Sequence, residues 1–116
     1  MVKDAKIDFD YENDILYLYT GEKVRDSLQI EDFIIDFSHD NTIVAIEILD
    51  ASKILSELSQ ADVTKDALSK IESARMSVYR GKELIYVLLA IRLSINQESM
   101  DIRIPVPAPA AVSAVA

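Results

Sequence analysis

One stretch, residues 43–58, changes the period of its apolar residues at Asp50. Before that point, six of the seven residues in Ile43–Leu49 are apolar and three are isoleucine, which is typical of a strand covered on both faces. After it, the apolar residues recur at the i, i+3, i+4 and i+7 spacing of an amphipathic helix: Ala51, Ile54, Leu55 and Leu58. The stretch predicts a buried central strand that leads into a helix folded back onto the sheet, with Asp50 as its N-cap.

Two segments near the start of the chain predict a β-hairpin. Residues 6–12 alternate strictly between charged and apolar side chains, which is typical of a strand with one solvated face. Residues 13–14 supply turn chemistry, and the apolar, aromatic segment Ile15–Tyr19 follows as the second strand. Further on, Phe33–Phe37 predicts another strand, whereas the loose alternation of Val24–Ile30 fits either a short edge strand or a loop.

The polar connection after Phe37 predicts antiparallel pairing between that strand and the buried one. With Phe37 opposite Ile43, Asp36 projects from one face of the sheet and Glu47 from the other. Two carboxylates on opposite faces cannot act on one substrate, so this register argues against a two-carboxylate catalytic site.

Residues 59–104 predict a second short helix followed by strands. Thr64 supplies the N-cap, and the apolar residues after it have helical spacing: Ala67, Leu68 and Ile71. The period of two then returns, with a hairpin turn at residues 80–83, a long strand over Leu84–Ile95 and a last strand over residues 100–104.

Matching apolar side chains across these hairpins places Val78 opposite Ile85 and Leu93 opposite Ile102. The predicted fold class is α+β, with a mainly antiparallel sheet whose two strand groups lie before and after two short helices. We expect residues 1–104 to form a single domain and the Pro/Ala-rich residues 105–116 to form a disordered tail.

The formal net charge of the 116-residue chain is −8, and the charge is unevenly distributed. Residues 1–62 contain 15 acidic and 5 basic side chains, whereas residues 63–116 contain 5 acidic and 7 basic ones. The acidic half argues against binding to nucleic acids or anionic membranes, and it fits either a basic protein partner or simply a role in solubility. Because 50% of the residues are hydrophobic, we also expect a homo-oligomer that buries part of this apolar surface between subunits.

Cysteine is absent from the sequence, which excludes disulfides, thiolate metal sites and cysteine nucleophiles. The first residues lack the apolar region of a signal peptide, and the longest apolar block, Leu84–Ala90, is far shorter than the roughly 18 residues of a membrane span. We therefore expect a cytoplasmic protein, and the sequence indicates no cofactor.

A recognisable pattern occupies three segments of the first half. These are Phe-Asp-Tyr-Glu-Asn-Asp-Ile-Leu-Tyr at residues 9–17, Ile-Asp-Phe at 35–37 and Ile-Val-Ala-Ile-Glu-Ile-Leu-Asp-Ala-Ser at 43–52. Over residues 7–58 the chain resembles the uncharacterised prokaryotic family called domain of unknown function 2283, with Thr42 and Ala45 where that family has glycine. The resemblance implies a small β-meander followed by a helix, and it brings no established activity.

Four acidic residues in the first hairpin superficially match a calcium-binding loop: Asp8, Asp10, Glu12 and Asp14. Asn13 stands where such a loop needs glycine and Tyr19 where it needs glutamate, so a solvated strand face explains the acids better. His39, the single histidine, lies beside Ser38 in a polar turn, where neighbouring side chains rarely point at each other. We expect His39 to be a solvated turn residue.

Glu47 is the remaining candidate site residue, because a carboxylate in an apolar strand needs a hydrogen-bonding partner or a function. The leading hypothesis is a non-catalytic, self-associating protein-interaction domain, in its most specific form the acidic partner in an antitoxin-like pair. The alternative is a small-molecule-binding or hydrolytic domain that uses Glu47 in a cleft between sheet and helix.

Overall fold

The computed structural model describes residues 2–40, 42–80, 84–93 and 99–107. Five strands come first: β1 (Lys3–Asp10), β2 (Ile15–Tyr19), β3 (Asp26–Ile30), β4 (Phe33–Phe37) and β5 (Ile43–Ile48). Two helices follow, α1 (Ala51–Ser59) and α2 (Lys65–Leu68). The last strands are β6 (Ile71–Arg80), β7 (Leu84–Leu93) and β8 (Ser99–Pro107). The predicted α+β fold is confirmed.

The strands form an eight-stranded sheet in the order β3-β4-β5-β2-β1-β6-β7-β8, and all of its pairings are antiparallel. Among the described residues, β1 makes the strand pairing that joins the two groups: it pairs with β6 through Lys3–Ala5 and with β2 through Lys6–Asp10. The strand predicted to be central, β5, lies between β4 and β2, as its apolar composition requires, while β2 and β1 occupy the middle of the sheet.

A single hydrophobic core joins both strand groups to the helices. Leu16 and Leu18 on β2 and Ile46 and Ile48 on β5 are fully buried, and Leu55 of α1 packs into the same cluster. From the second group the core includes side chains of β6, β7 and β8: Ala74, Met76, Val87, Leu89, Ile91, Leu93 and Ile102. Described residues of both strand groups therefore pack into the same hydrophobic core.

Several predicted features are confirmed. Val24–Ile30 contains an edge strand, β3, and the apolar segment from Leu84 is a strand. Thr64 caps α2, because its hydroxyl accepts a hydrogen bond from the backbone N–H of Ala67 at 3.1 Å. The second helix is shorter than predicted, since Ile71 already begins β6.

The predicted registers of the last two hairpins were wrong. Val78 lies opposite Val87, and Ile102 lies opposite Leu89. Both shifts are by an even number of residues, so the described apolar side chains, including Met76, Val87 and Ile102, stay on their predicted face of the sheet. The strand β8 also continues to Pro107, which corrects the start of the predicted tail; residues 108–116 lie outside the described residues.

Within the described part of the chain, neither helix has the length or apolarity needed to cross a membrane.

Candidate functional site

A β-bulge in β5 brings Asp36 and Glu47 to the same face of the sheet. Phe37 lies opposite Ile43 as predicted, but the next pair is Asp36 with Ala45, so Val44 is an extra residue on β5. Beyond the bulge Ile34 lies opposite Glu47. The prediction that the two carboxylates project from opposite faces was therefore wrong.

This face, which we call the outer face, is the side of β4, β5, β2 and β1 opposite the hydrophobic core. Its side chains follow from the observed pairings, and they include Lys6, Asp8 and Asp10 on β1, Ile15, Tyr17 and Tyr19 on β2, Ile34 and Asp36 on β4, and Ala45 and Glu47 on β5. Four carboxylates and one ammonium group thus share a surface that carries two tyrosines. Glu47 faces away from the helices, so the predicted cleft between sheet and helix was wrong in its location.

Asp36 is held by hydrogen bonds from two other strands. The hydroxyl of Ser27 donates to its Oδ1 at 2.6 Å, and the phenol of Tyr17 donates to its Oδ2 at 3.4 Å. Only 9% of Asp36 is exposed, so these donors replace water around the carboxylate. Because Tyr17 lies on β2 and Asp36 on β4, the tyrosine side chain crosses β5 beside the small residue Ala45.

Tyr17 connects this cluster to the rest of the outer face. Its partial burial, followed by the charge of Asp36, raises the pKa of the phenol, which therefore stays protonated and acts as a donor. Its ring stacks on the ring of Tyr19, with centroids 5.0 Å apart and an interplanar angle of 20°. The ammonium of Lys6 lies 6.0 Å from the Tyr19 centroid. The two rings form a short aromatic ladder between acidic side chains.

A shallow cleft of about 250 Å³ lies beside this ladder, lined by Asp8, Asp10, Ile15, Tyr17 and Glu47. The carboxylates of Asp8 and Asp10 are exposed, whereas Ile15, Tyr17 and Glu47 are half-buried. The lining thus combines negative charge, an aromatic ring and an apolar side chain. This combination suits a cationic group such as the guanidinium of an arginine, which can pair with carboxylates and stack on a tyrosine ring.

The carboxylate that caps α1 comes from Asp14 rather than from Asp50. Asp50 occupies the N-cap position with φ of 47°, but its side chain makes no hydrogen bond to the helix. Asp14, in the turn of the first hairpin, accepts from the backbone N–H of Ser52 at 3.0 Å and from its hydroxyl at 2.5 Å. Its backbone carbonyl also accepts from the N–H of Ala51 at 2.8 Å. A residue distant in sequence therefore performs the role predicted for Asp50.

The other candidate residues have ordinary environments. His39 is exposed, and the Ser38 hydroxyl beside it bonds to the hydroxyl of Thr42 at 2.6 Å. The hydrogen bonds that Asn13 donates to Asp10 lower the pKa of that carboxyl. Of the four acids that superficially match a calcium loop, Asp14 hydrogen-bonds to the start of α1. No metal-binding group of three or more His, Asp or Glu side chains occurs among the described residues.

Two arginines of the second strand group form weak ion pairs within the chain. Arg75 lies 3.5 Å from Asp4, and Arg92 lies 3.7 Å from Glu72, with all four side chains largely exposed. Exposed pairs of this kind contribute little to stability, so we regard them as solvated surface charges.

Comparison with known proteins finds a family model that matches the first half of the chain and two related proteins. The family model described as protein of unknown function (DUF2283) matches residues 6–52. A protein of Methanosarcina mazei, named putative hypoxanthine phosphoribosyltransferase, is 32% identical over 96 residues, which cover 82% of this chain and 72% of that protein. Residues 6–52 of the chain belong to the DUF2283 family. The resemblance found in the sequence is thus confirmed for residues 6–52.

A second relative is an uncharacterised protein of Methanocaldococcus jannaschii, with 42% identity over 65 residues. That alignment covers 55% of each protein, so the chain spans about half the length of this relative. No solved structure matches the chain.

The structure explains why the DUF2283 pattern combines distant polar residues. Asp14 from the first segment of the pattern and Ser52 from the last meet at the start of α1. Tyr17, Asp36 and Glu47, one from each segment, meet on the outer face. The second group could not be predicted from the sequence, because the bulge places Asp36 on the same face as Glu47 where regular pairing places it on the opposite face. The one available signal was Ile43-Val44, two adjacent apolar residues next to a turn, which are both buried here.

Proposed function

We propose that the protein is a non-catalytic protein-interaction domain whose outer face binds a basic partner. The observation that carries the proposal is the cleft on this face, whose lining combines the carboxylates of Asp8, Asp10 and Glu47 with Tyr17. A flexible basic side chain inserted there gains ion pairs and a cation–π contact without any rearrangement of the sheet. The acidic balance of the first half attracts such a partner at long range.

The antitoxin-like role is the most specific form of this proposal, in which the basic partner is a toxic protein neutralised by binding. Its support is the charge of the outer face. The proposal also includes self-association, supported by a 50% hydrophobic composition and by exposed apolar side chains such as Val24 and Leu28.

Binding to a fluorescently labelled oligo-arginine peptide tests the outer face directly. The variant Asp8→Asn/Glu47→Gln removes two charges from the cleft, and Glu57→Gln/Asp62→Asn removes two exposed charges elsewhere. We expect the first variant to lose about tenfold in affinity, equivalent to about 1.4 kcal/mol, and the second to lose much less. Equal losses in the two variants would show attraction to net charge alone and would refute a site at the cleft.

The alternative function is small-molecule binding or hydrolysis at Glu47, and the cleft is the observation in its favour. Its volume of about 250 Å³ lies just below the range of about 300–1,000 Å³ typical of small-molecule pockets. The name of the Methanosarcina relative suggests hypoxanthine and a phosphoribosyl group as ligands. A phosphate would be repelled by three carboxylates, so we rank this alternative second. A rise in melting temperature with hypoxanthine, lost in Glu47→Gln, would reverse the ranking.

A further inference from the structure

The two edges of the sheet differ in how they are protected against pairing. The strand β8 forms one edge and contains Pro105 and Pro107, which have no backbone N–H to offer another strand. The strand β3 forms the other edge, and its sequence Asp-Ser-Leu-Gln-Ile contains neither proline nor lysine, the residues that commonly block an edge. The β3 edge therefore lacks the proline protection that β8 has at residues 105–107.

The surroundings of β3 are also unusually open. All nine residues from 21 to 29 are exposed, and they include the apolar side chains of Val24 (41%) and Leu28 (39%). Leu28 lies on the core side of the sheet, opposite the fully buried Ile35 of β4. The hydrophobic layer of the sheet thus ends in a leucine that the described chain leaves 39% exposed.

We propose that a second copy of this chain covers this edge, with β3 pairing antiparallel to β3 of the other copy about a twofold axis at Leu28. This register is self-complementary. The two copies of Leu28 lie opposite each other on the core side, and Ser27 lies opposite Gln29 of the second copy on the outer side. The proposal specifies the interface for the self-association proposed above and depends on it.

Charges at the ends of the paired strands fit the same register. Arg25 of one copy lies opposite Glu31 of the other, and the twofold axis repeats this contact at the far end. Within one copy, Arg25 already lies 3.1 Å from Asp26, which reduces the negative charge on the edge strand itself. The register thus places the two copies of Leu28 at the centre, Asp26 opposite Ile30 beyond the polar pair of Ser27 and Gln29, and opposite charges at the ends.

A five-residue edge buries little surface, so the dimer it forms is weak. Stable interfaces bury about 1,200–2,000 Å², and a single pair of short strands lies below this range. Each copy carries a net charge of −8, so the copies repel at long range. We therefore expect association to strengthen as salt screens this repulsion.

Sedimentation velocity from about 5 to 500 µM tests the interface, because that range brackets a weak dimer. The variant Leu28→Lys puts two ammonium groups opposite each other at the axis, and we expect it to weaken dimerisation by about tenfold or more. The control is Leu58→Lys, the same change at an exposed leucine of α1 (48% exposed), and it should leave dimerisation unchanged. Circular dichroism checks that both variants are folded.

A charge swap tests the register independently of Leu28. Arg25→Glu should weaken the dimer because it places two acidic groups together, and Arg25→Glu/Glu31→Arg should restore most of the lost affinity. Hydrogen exchange should show slower exchange of the β3 amides at high protein concentration than at low concentration.

The possible outcomes separate this inference from the function on which it rests. A wild-type protein that stays monomeric throughout would refute both self-association and the β3 interface. A dimer weakened equally by Leu28→Lys and Leu58→Lys, or by neither, would refute the β3 interface alone. Protection of β3 only after addition of a basic peptide would assign the edge to a different partner and also contradict the proposed twofold pairing.

Discussion

Asp14→Gly is the substitution that most directly tests how the first hairpin stabilises α1. Asp14 has φ of 55°, which glycine adopts without strain, so the substitution removes the carboxylate while preserving the turn. The loss includes hydrogen bonds from the N–H and hydroxyl of Ser52 to a charged acceptor that is only 9% exposed. An N-cap stabilises the folded state by about 0.5–2 kcal/mol, and a hydrogen bond to a charged group stabilises it by about 1.5–3 kcal/mol. Glycine also relieves the backbone strain at this positive φ, which offsets up to about 1 kcal/mol of the loss. We expect a net loss of about 2 kcal/mol.

Urea denaturation followed by circular dichroism measures this loss, and an unchanged m-value would show that the unfolded state is unaffected. Ser52→Ala and the double variant complete a mutant cycle, for which we expect a coupling energy of about 1 kcal/mol or more. Asp50→Gly is the control. Because Asp50 has φ of 47° and no capping hydrogen bond, its replacement should be neutral or stabilising. A loss below about 0.5 kcal/mol for Asp14→Gly, or no coupling to Ser52, would refute this account of the cap.

Three further predictions follow from local geometry. Glu31 has φ of 52° in the β3–β4 turn, so Glu31→Gly should stabilise the fold by about 0.5–1 kcal/mol in urea denaturation, whereas Glu31→Val should destabilise it. The raised pKa of Tyr17 means that its stabilising contribution is complete below pH 10 and is lost as pH rises beyond it; the stability difference between wild type and Tyr17→Phe should shrink over that range. Ala45→Leu should cost about 1–3 kcal/mol and, in spectrophotometric titration, return the Tyr17 pKa towards its usual value, because the larger side chain blocks the path to Asp36.

The type of each secondary-structure element, and the face of the sheet on which its side chains lie, could be predicted wherever the apolar residues recur with a clear period. The alternation of residues 6–12 and of the long strand from Leu84 identified both strands, since one side of each is covered by the core. Facing was also preserved in the last two hairpins although their registers shifted, because shifts by an even number of residues keep apolar side chains on the core side. Periodicity therefore determined which side of the sheet each residue occupies more reliably than which partner it meets.

The features that sequence reasoning missed depend on contacts between distant segments. The bulge at Val44 does not interrupt the run of apolar residues, so the sequence predicts regular pairing of β4 with β5. Regular pairing places Asp36 on the wrong face of the sheet relative to Glu47. The cap of α1 was assigned to Asp50 because of its position, whereas Asp14 reaches the helix from 38 residues away. An N-cap prediction from sequence compares only neighbours in the chain, so it cannot detect a carboxylate brought in by a hairpin turn.

The polar residues of the family pattern fall into two groups. Some are already hydrogen-bonded within the chain, and one lines the cleft where a partner could bind. Asp14 and Ser52 use their hydrogen-bonding groups on each other, so substitutions there should act on binding only through stability. Asp36 is likewise occupied by Ser27 and Tyr17 and serves to fix the tyrosine in place. Glu47, half-buried and facing the cleft, is the member of the pattern placed to meet a ligand directly. A loss of binding in Glu47→Gln at unchanged stability would therefore separate recognition from folding, which substitutions at Asp14, Ser52 or Asp36 cannot do.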